Sequence, residues 1–208
     1  MPTITSIKPQ KTKKRVNIYL DGKFGFGIDL ENYLKLGLKI EQELTEKEID
    51  EIVKKAEFQK VYDKVLRFAS IRPRSEKEFI VWLKKHKVYK SLHKKLFNRL
   101  KKLDFLNDEK FAVWWVEQRQ QFRPRGKRAL RLELRNKGIN KEIINEVLEE
   151  ARVDEYQIAK GLVEKKKRRW EKLESFEARK KMSAFLARKG FGWEVIRSVV
   201  KEISLKSE

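Results

Sequence analysis

The chain has 208 residues, no cysteine, and 52 Lys and Arg against 31 Asp and Glu, a formal net charge of +21. Disulfide scaffolds and thiol catalysis are thereby excluded, no apolar run approaches the ~20 residues of a membrane span, and the opening MPTITSIKPQ does not read as a signal, so a cytoplasmic location is expected. The length suffices for a real core, and an excess of one sign of charge, which adaptation to heat does not by itself supply, favours a polyanionic partner.

The first 30 residues follow a strand grammar. Ile4 to Ile7, Val16 to Leu20 and Phe24 to Ile28 read as short strands, with Asp21-Gly22 as a hairpin turn. A strict two-residue loop sets Leu20 against Lys23, whereas apolar alternation prefers Leu20 against Phe24, so a longer loop or a bulge is expected beside the turn. A sheet this small is marginal alone and should pack on residues 30 to 58 or on the first helices after them. Residues 29 to 44 read as a helical turn and loop with a stop at Leu36-Gly37-Leu38, and Thr45 with Glu48 forms a capping box that opens a helix through about residue 55.

From Gln59 the pattern is helical throughout. One helix carries Val61, Tyr62, Val65, Leu66 and Ala69 and stops before Pro73; Ser75 and Glu78 open the next, which buries Phe79 and Trp82 or Leu83; a third carries Leu92, Leu96, Leu100 and Leu103. Asn107 or Asp108 caps a fourth with Phe111, Ala112, Trp115 and Val116 inward. Next comes the stretch around which the chain is organised, RPRGKRALRLELRNKG from Arg123 to Gly138, with Leu130 and Leu134 one turn apart and a glycine stop. Asn140 caps a helix with Ile143, Ile144, Val147 and Leu148 inward. A long helix from Val153 is then expected to run through Lys165–Arg169 to Trp170 and Leu173, followed by one ending at Gly190 and a last stripe of Trp193, Ile196, Val199 and Val200.

The organising stretch occurs three times. Residues 72 to 87, RPRSEKEFIVWLKKHK, and 175 to 190, SFEARKKMSAFLARKG, align with it so that Phe79, Leu130 and Met182 coincide, as do Leu83, Leu134 and Leu186. The expected fold is mainly α: an elongated, curved array of three tandem three-helix repeats at 59–106, 107–152 and 153–208, preceded by a β-hairpin and helical linker over 1–58.

Catalytic chemistry is not legible. His86 and His93 lack a nearby acid at metal-ligand spacing, and Asp104, Asp108 and Glu109 surround one helix start, where capping explains them better than a metal or a metal-dependent nuclease does. Phe24-Gly25-Phe26-Gly27 lacks the spacing and Lys-Ser/Thr ending of a phosphate loop. No enzyme activity, cofactor or metal is expected.

Basic residues, by contrast, line the helices. Arg123, Arg125, Lys127, Arg128, Arg131, Arg135, Lys137 and Lys141 crowd the second repeat, where Glu133 is the one acid of the central helix; Lys165, Lys166, Lys167, Arg168, Arg169 and Lys172 crowd the third. Lys11, Lys13, Lys14 and Arg15 form a further basic arm or a solvated surface. Such rows suit an extended polyanion or an acidic protein surface. Trp82, Trp115, Trp170 and Trp193 are read as core, whereas Trp114, about 100° round the helix from Trp115, fills a seam between repeats or serves as an exposed contact.

RPRSEKEF at Arg72 and LDFLNDEKFAVWWVEQR leading into RPRGKRALRLELRNKGINKEIINEVL resemble the RecX family of regulators of the bacterial RecA recombinase, as does the N-terminal LDGKFGFGIDLENYLKLGLKIEQEL. That resemblance implies a non-enzymatic modulator, an inhibitor, that lies in the groove of a RecA–DNA filament and restrains filament growth, ATP hydrolysis and strand exchange. Carried to this chain, the contacts with recombinase or with single- or double-stranded DNA phosphates fall on Arg72, Arg74, the basic residues from Arg123 to Lys137, Arg179, Lys180, Arg188 and Lys189, to which the basic row of the third repeat adds Lys165, Lys166, Arg168 and Arg169. The third repeat departs from the pattern, with Phe176-Glu177-Ala178 in place of RPR. A monomer is expected. A general DNA-binding protein and a helical-repeat adaptor for an acidic protein remain alternatives.

Overall fold

The computed structural model describes residues 1–11 and 13–205. Its elements fall in two compact units, residues 1–72 with 83–102, and residues 73–82 with the chain from Leu103 on.

In the first unit β1 (Ile4–Pro9), β2 (Arg15–Leu20) and β3 (Lys23–Asp29) form an antiparallel sheet in that order. Asp21 and Gly22 both have positive φ, 48° and 77°, as a two-residue primed turn requires. Leu20 therefore does face Lys23, and the register shifts one residue later: Tyr19 opposes Phe24 but Ile18 opposes Phe26. The bulge at Gly25 reconciles the tight turn with the apolar alternation, because it returns Phe26 and Ile28 to the buried face. Asp29 caps α1 (Leu30–Leu36), which ends on Gly37 at φ 58°. Ile4, Val16, Ile18, Phe26 and Ile28 then pack with Leu38, Leu44, Ile52 and Ala56 into one core.

Thr45 and Glu48 make the reciprocal capping box, but the helix they open, α2 (Glu46–Ser70), is one element of 25 residues rather than two. Nothing in Ala56-Glu57-Phe58-Gln59 breaks a helix, and α2 serves two apolar clusters in succession: Ile52 and Ala56 under the sheet, then Phe58, Tyr62, Val65 and Ala69. The Phe58 and Tyr62 rings stack at 5.9 Å, with Lys95 and Arg99 of α4 (Lys90–Lys102) over them at 4.5 and 4.3 Å. Leu96 and Leu100 are fully buried, whereas Leu103, one residue past the end of α4, is exposed and leaves the expected stripe.

The second unit holds the start of α3 (Glu76–Lys85) with α5 (Asp108–Phe122), α6 (Lys127–Asn136), α7 (Lys141–Glu150), α8 (Glu155–Glu164), α9 (Ser175–Arg188) and α10 (Trp193–Leu205). Phe111, Ala112, Val116, Leu130, Leu134, Ile144, Val147 and Leu148 form the core of the second repeat; Ala159, Val163, Met182, Leu186, Phe191, Ile196 and Val199 form that of the third. The fold is thus mainly helical, with tandem three-helix repeats after a small N-terminal sheet.

The long first helix expected in repeat three does not form. α8 stops at Glu164, and Lys167–Arg169 make a single 3-10 turn. Continuing the helix would stack five cations on adjacent turns, which disfavours it, and the tighter turn lets Trp170 reach Phe185 at 5.7 Å.

The middle helices end alike. Val88, Ile139 and Phe191 donate backbone N–H groups to Leu83, Leu134 and Leu186 at 3.0, 3.1 and 3.3 Å. The residue preceding each donor is left-handed: Lys87 at φ 52°, Gly138 at 85° and Gly190 at 84°.

Candidate basic interface

Gly126 caps α6 without a side-chain bond, because Lys189 of repeat three approaches so closely: the Gly126 N–H donates to its carbonyl at 3.0 Å, and a Cβ on Gly126 would lie 2.3 Å from the Gly190 oxygen. At the other end, Gly138 stands against Lys77, whose Nζ donates to the Asn136 carbonyl at 2.9 Å. The C-terminal end of each middle helix therefore abuts the N-terminal end of its predecessor's, a head-to-tail arrangement favourable to both dipoles.

With Leu130 and Leu134 buried, helical spacing turns Arg128, Arg131 and Arg135 outward on one face. Their side chains make no hydrogen bond or ion pair among the described residues. The other cations of this stretch are differently placed. Arg123 is exposed at the end of α5 and Lys127 is half-buried. Arg125 lies 3.8 Å from Glu133, its Nε buried without a hydrogen bond. Lys137 pairs with Glu78 at 2.7 Å while standing 4.9 Å over the Trp115 ring. Glu133 is a hub: its Oε2 accepts from Trp115 Nε1 at 2.9 Å and from Arg119 Nε at 2.7 Å. The lone acid of the basic helix thus holds α5 to α6, a role that periodicity gives no sign of.

Arg74 offers little surface, since its side chain is 14% exposed and 4.0 Å from Glu78, and Arg72 is half-buried. In repeat three, Lys165, Arg168, Arg169, Arg179, Lys180 and Arg188 are exposed. Lys166 stands 4.5 Å over the Phe185 ring, with Lys189 at 5.9 Å. An open hollow of about 450 Å³ joins Lys166, Arg169, Lys181 and Arg188 to the rings of Trp170 and Phe185. Nearby, burial first, and then Arg125, Lys166 and Arg123, hold the Lys189 ammonium below the ordinary lysine pKa. Lys11, Lys13 and Lys14 are exposed, while Arg15 donates to the Gly27 carbonyl at 2.7 Å.

Asp104, Asp108 and Glu109 do not converge. Asp104 pairs with Lys110, Asp108 accepts from the Glu76 N–H at 2.8 Å, and Glu109 is exposed. His93 lies 3.1 Å from the Val88 carbonyl and His86 is exposed. Among the described residues no group of three or more such side chains is placed to hold a metal ion, and no helix is long and apolar enough to cross a membrane.

Of the tryptophans, Trp82, Trp114, Trp115 and Trp170 are half-buried, Trp114 resting 6.0 Å from Phe111. Trp193 is not core: it is 68% exposed. It shares the stripe of Ile196 and Val199, but as the first residue of α10 its side chain leans back past the end of the core.

Three family models match this chain: the N-terminal domain of regulatory protein RecX over residues 2–45, the second three-helix domain of RecX over 107–148, and the third over 154–200. Regulatory protein RecX of Bacillus licheniformis is 35% identical over all of this chain and 80% of its own length. That of Bacillus subtilis is 34% identical with the same coverage, and that of Listeria welshimeri 33% over 96% of this chain and 75% of its own. Among solved structures, a crystal structure of regulatory protein RecX superposes with a TM-score of 0.74 at 27% identity, covering 96% of this chain and 98% of that one. RecX from Lactobacillus salivarius gives 0.64 at 25% identity over 71% and 97%. With its sheet, its repeats and its sequence all matched, the chain belongs to the RecX family of regulatory proteins.

Proposed function

We propose that this chain is a cytoplasmic, monomeric modulator of a RecA-type recombinase, which it inhibits by binding the recombinase–DNA filament and restraining ATP hydrolysis, filament extension and strand exchange. The observation that carries this reading is the outward row of Arg128, Arg131 and Arg135, free of intramolecular partners among the described residues, in a chain of a regulatory family. Arg123, Lys127, Lys165, Lys166, Arg168, Arg169, Arg179, Lys180, Arg188 and Lys189 extend the same contact. Arg72, Arg74, Arg125 and Lys137 contribute less, because much of their surface is already taken within the fold. The repeats act as modules along successive recombinase subunits or the phosphates between them.

The test is recombinase ATP hydrolysis on saturating single-stranded DNA, titrated with this chain while binding to bare DNA is recorded at the same salt. Inhibition below one copy per recombinase, at concentrations that barely bind bare DNA, is expected. Charge reversal at Arg128, Arg131 and Arg135 should weaken inhibition and leave helical content intact; full inhibition by that folded variant removes these arginines from the contact. Leu134→Ala is the packing control, since truncating a buried leucine costs about 2 to 5 kcal/mol.

One observation favours a second reading. The hollow with four cations around Trp170 and Phe185 suits a phosphate backbone with a base near the rings, so a general nucleic-acid-binding protein would use it. An effect on turnover that merely tracks coating of free DNA is the outcome that selects this second reading.

A further inference from the structure

Beside the arginine row, a second open hollow, of about 480 Å³, has a different chemistry. Trp193 and Leu132 line it, 68% and 59% exposed, over a floor that includes Ala129 and Phe191. Arg128 and Arg188 stand at its sides with no side-chain partner among the described residues. An exposed Trp between two arginines combines the residue types that anchor protein interfaces, and Leu132 adds apolar surface beside it.

Core packing does not account for this tryptophan. Trp193 follows the left-handed Gly190 by three residues and opens α10; Lys141 follows the left-handed Gly138 by three and opens α7. The repeat fold is thus completed with a lysine at the same place. Four of the five tryptophans are half-buried, and the fifth is at this site.

We infer that Trp193, Leu132, Arg128 and Arg188 form a docking site for an apolar side chain flanked by carboxylates on the recombinase subunit. The inference rests on the function proposed above and names the protein half of that contact. Charge complementarity selects the flanking carboxylates, and the apolar floor selects the side chain between them. Single-stranded nucleic acid is the less favoured occupant, because each hollow holds two aromatic rings but this one has two cations where the one around Trp170 has four. Arg128 belongs both to this hollow and to the α6 row, so a filament that meets one meets the other.

The test compares the full-length chain with Trp193→Ala and Leu132→Ser, two exposed positions on different helices. Binding of each to recombinase filaments and to bare single-stranded DNA is measured at one salt concentration, with circular dichroism as the check on folding. Filament affinity should fall roughly tenfold or more for Trp193→Ala and in the same direction for Leu132→Ser, with bare-DNA affinity unchanged. If the wild-type chain acts on filaments and both folded variants act equally well, the docking site is wrong while the proposed function stands. A parallel loss of filament and bare-DNA binding also overturns it and assigns the hollow to nucleic acid. A wild-type chain without effect on filaments removes the proposed function and this inference together.

Discussion

The carboxylate of Asp108, first residue of α5, accepts a hydrogen bond from the backbone N–H of Glu76, first residue of α3, at 2.8 Å. One repeat later the relationship recurs: Glu155, first residue of α8, accepts from the N–H of Lys127, first residue of α6, also at 2.8 Å. The middle helices of the first two repeats therefore each have an orphan donor satisfied by the acid that opens the next repeat, and capping becomes a bond between repeats rather than within one.

Asp108→Ala should consequently destabilise the protein by roughly 1 to 2 kcal/mol, and Glu155→Ala by a similar amount. The two sites share no partner, so the double variant should add the two losses. Urea unfolding measures this, and hydrogen exchange should place the first loss at the start of α3. Asp108→Asn keeps an acceptor for the Glu76 N–H and should recover most of the stability.

The three left-handed helix ends support a prediction of opposite sign. Lys87 occupies, at φ 52°, the conformation that Gly138 and Gly190 adopt one and two repeats later. A side chain there costs ~1 kcal/mol or more, offset in part by the greater freedom glycine gives the unfolded chain. Lys87→Gly should raise stability by about 0.5 to 1 kcal/mol. Gly190→Ala should lower it by more than ~2 kcal/mol, because the added Cβ would meet the Ala129 Cβ at 2.3 Å and its backbone nitrogen at 2.6 Å. Thermal midpoints of the two variants, moving in opposite directions, check the pair.

What the sequence made legible was local. The capping box at Thr45, the primed turn at Asp21-Gly22 and the one-turn pairs Phe79 with Leu83, Leu130 with Leu134 and Met182 with Leu186 each depend on neighbours within a few residues, and the bulge followed from a conflict between turn and alternation. What it concealed was tertiary. The break in α2 expected near residue 58 had no glycine or proline behind it, and the helix expected through Lys165–Arg169 is interrupted where Trp170 turns toward Phe185. Trp193 carries the right period but sits at the end of its stripe, where period no longer implies burial. At the basic face, the outward arginines were legible from the positions of Leu130 and Leu134; the partners of Arg125, Lys137 and Glu133, 8, 59 and 18 residues away in Glu133, Glu78 and Trp115, were not.

Glu133 sets stability against binding. Its carboxylate serves Trp115 and Arg119 directly and lies beside Arg125. Glu133→Gln retains an acceptor for Trp115 but removes the charge that holds the two arginines, so the fold should lose about 1 kcal/mol. The same change releases positive charge toward the α6 face. Under the proposed function, affinity for single-stranded DNA or for filaments should rise and its salt dependence steepen. Weaker binding by a folded Glu133→Gln variant would mean that the hub orders the contact surface rather than competing with it.

Lys189 gives the pH dependence. Its ammonium is disfavoured first by burial and then by Arg125, Lys166 and Arg123, so its folded pKa lies below the 10.5 of an unperturbed lysine. Between the two values the unfolded chain holds the proton more tightly than the folded one, and unfolding free energy rises with pH across that window. Lys189→Gln removes the penalty at neutral pH and should stabilise the protein there. The advantage should shrink as the pH approaches 10.5, where the wild-type side chain is itself losing its charge. A bound phosphate would favour the ammonium, so wild-type binding at alkaline pH should take up a proton and the variant's should not. Urea midpoints at neutral and alkaline pH, with calorimetric titration of a short single-stranded DNA in buffers of different ionisation enthalpy, measure both halves; a stability difference independent of pH would show that the cations around Lys189 are already screened by solvent.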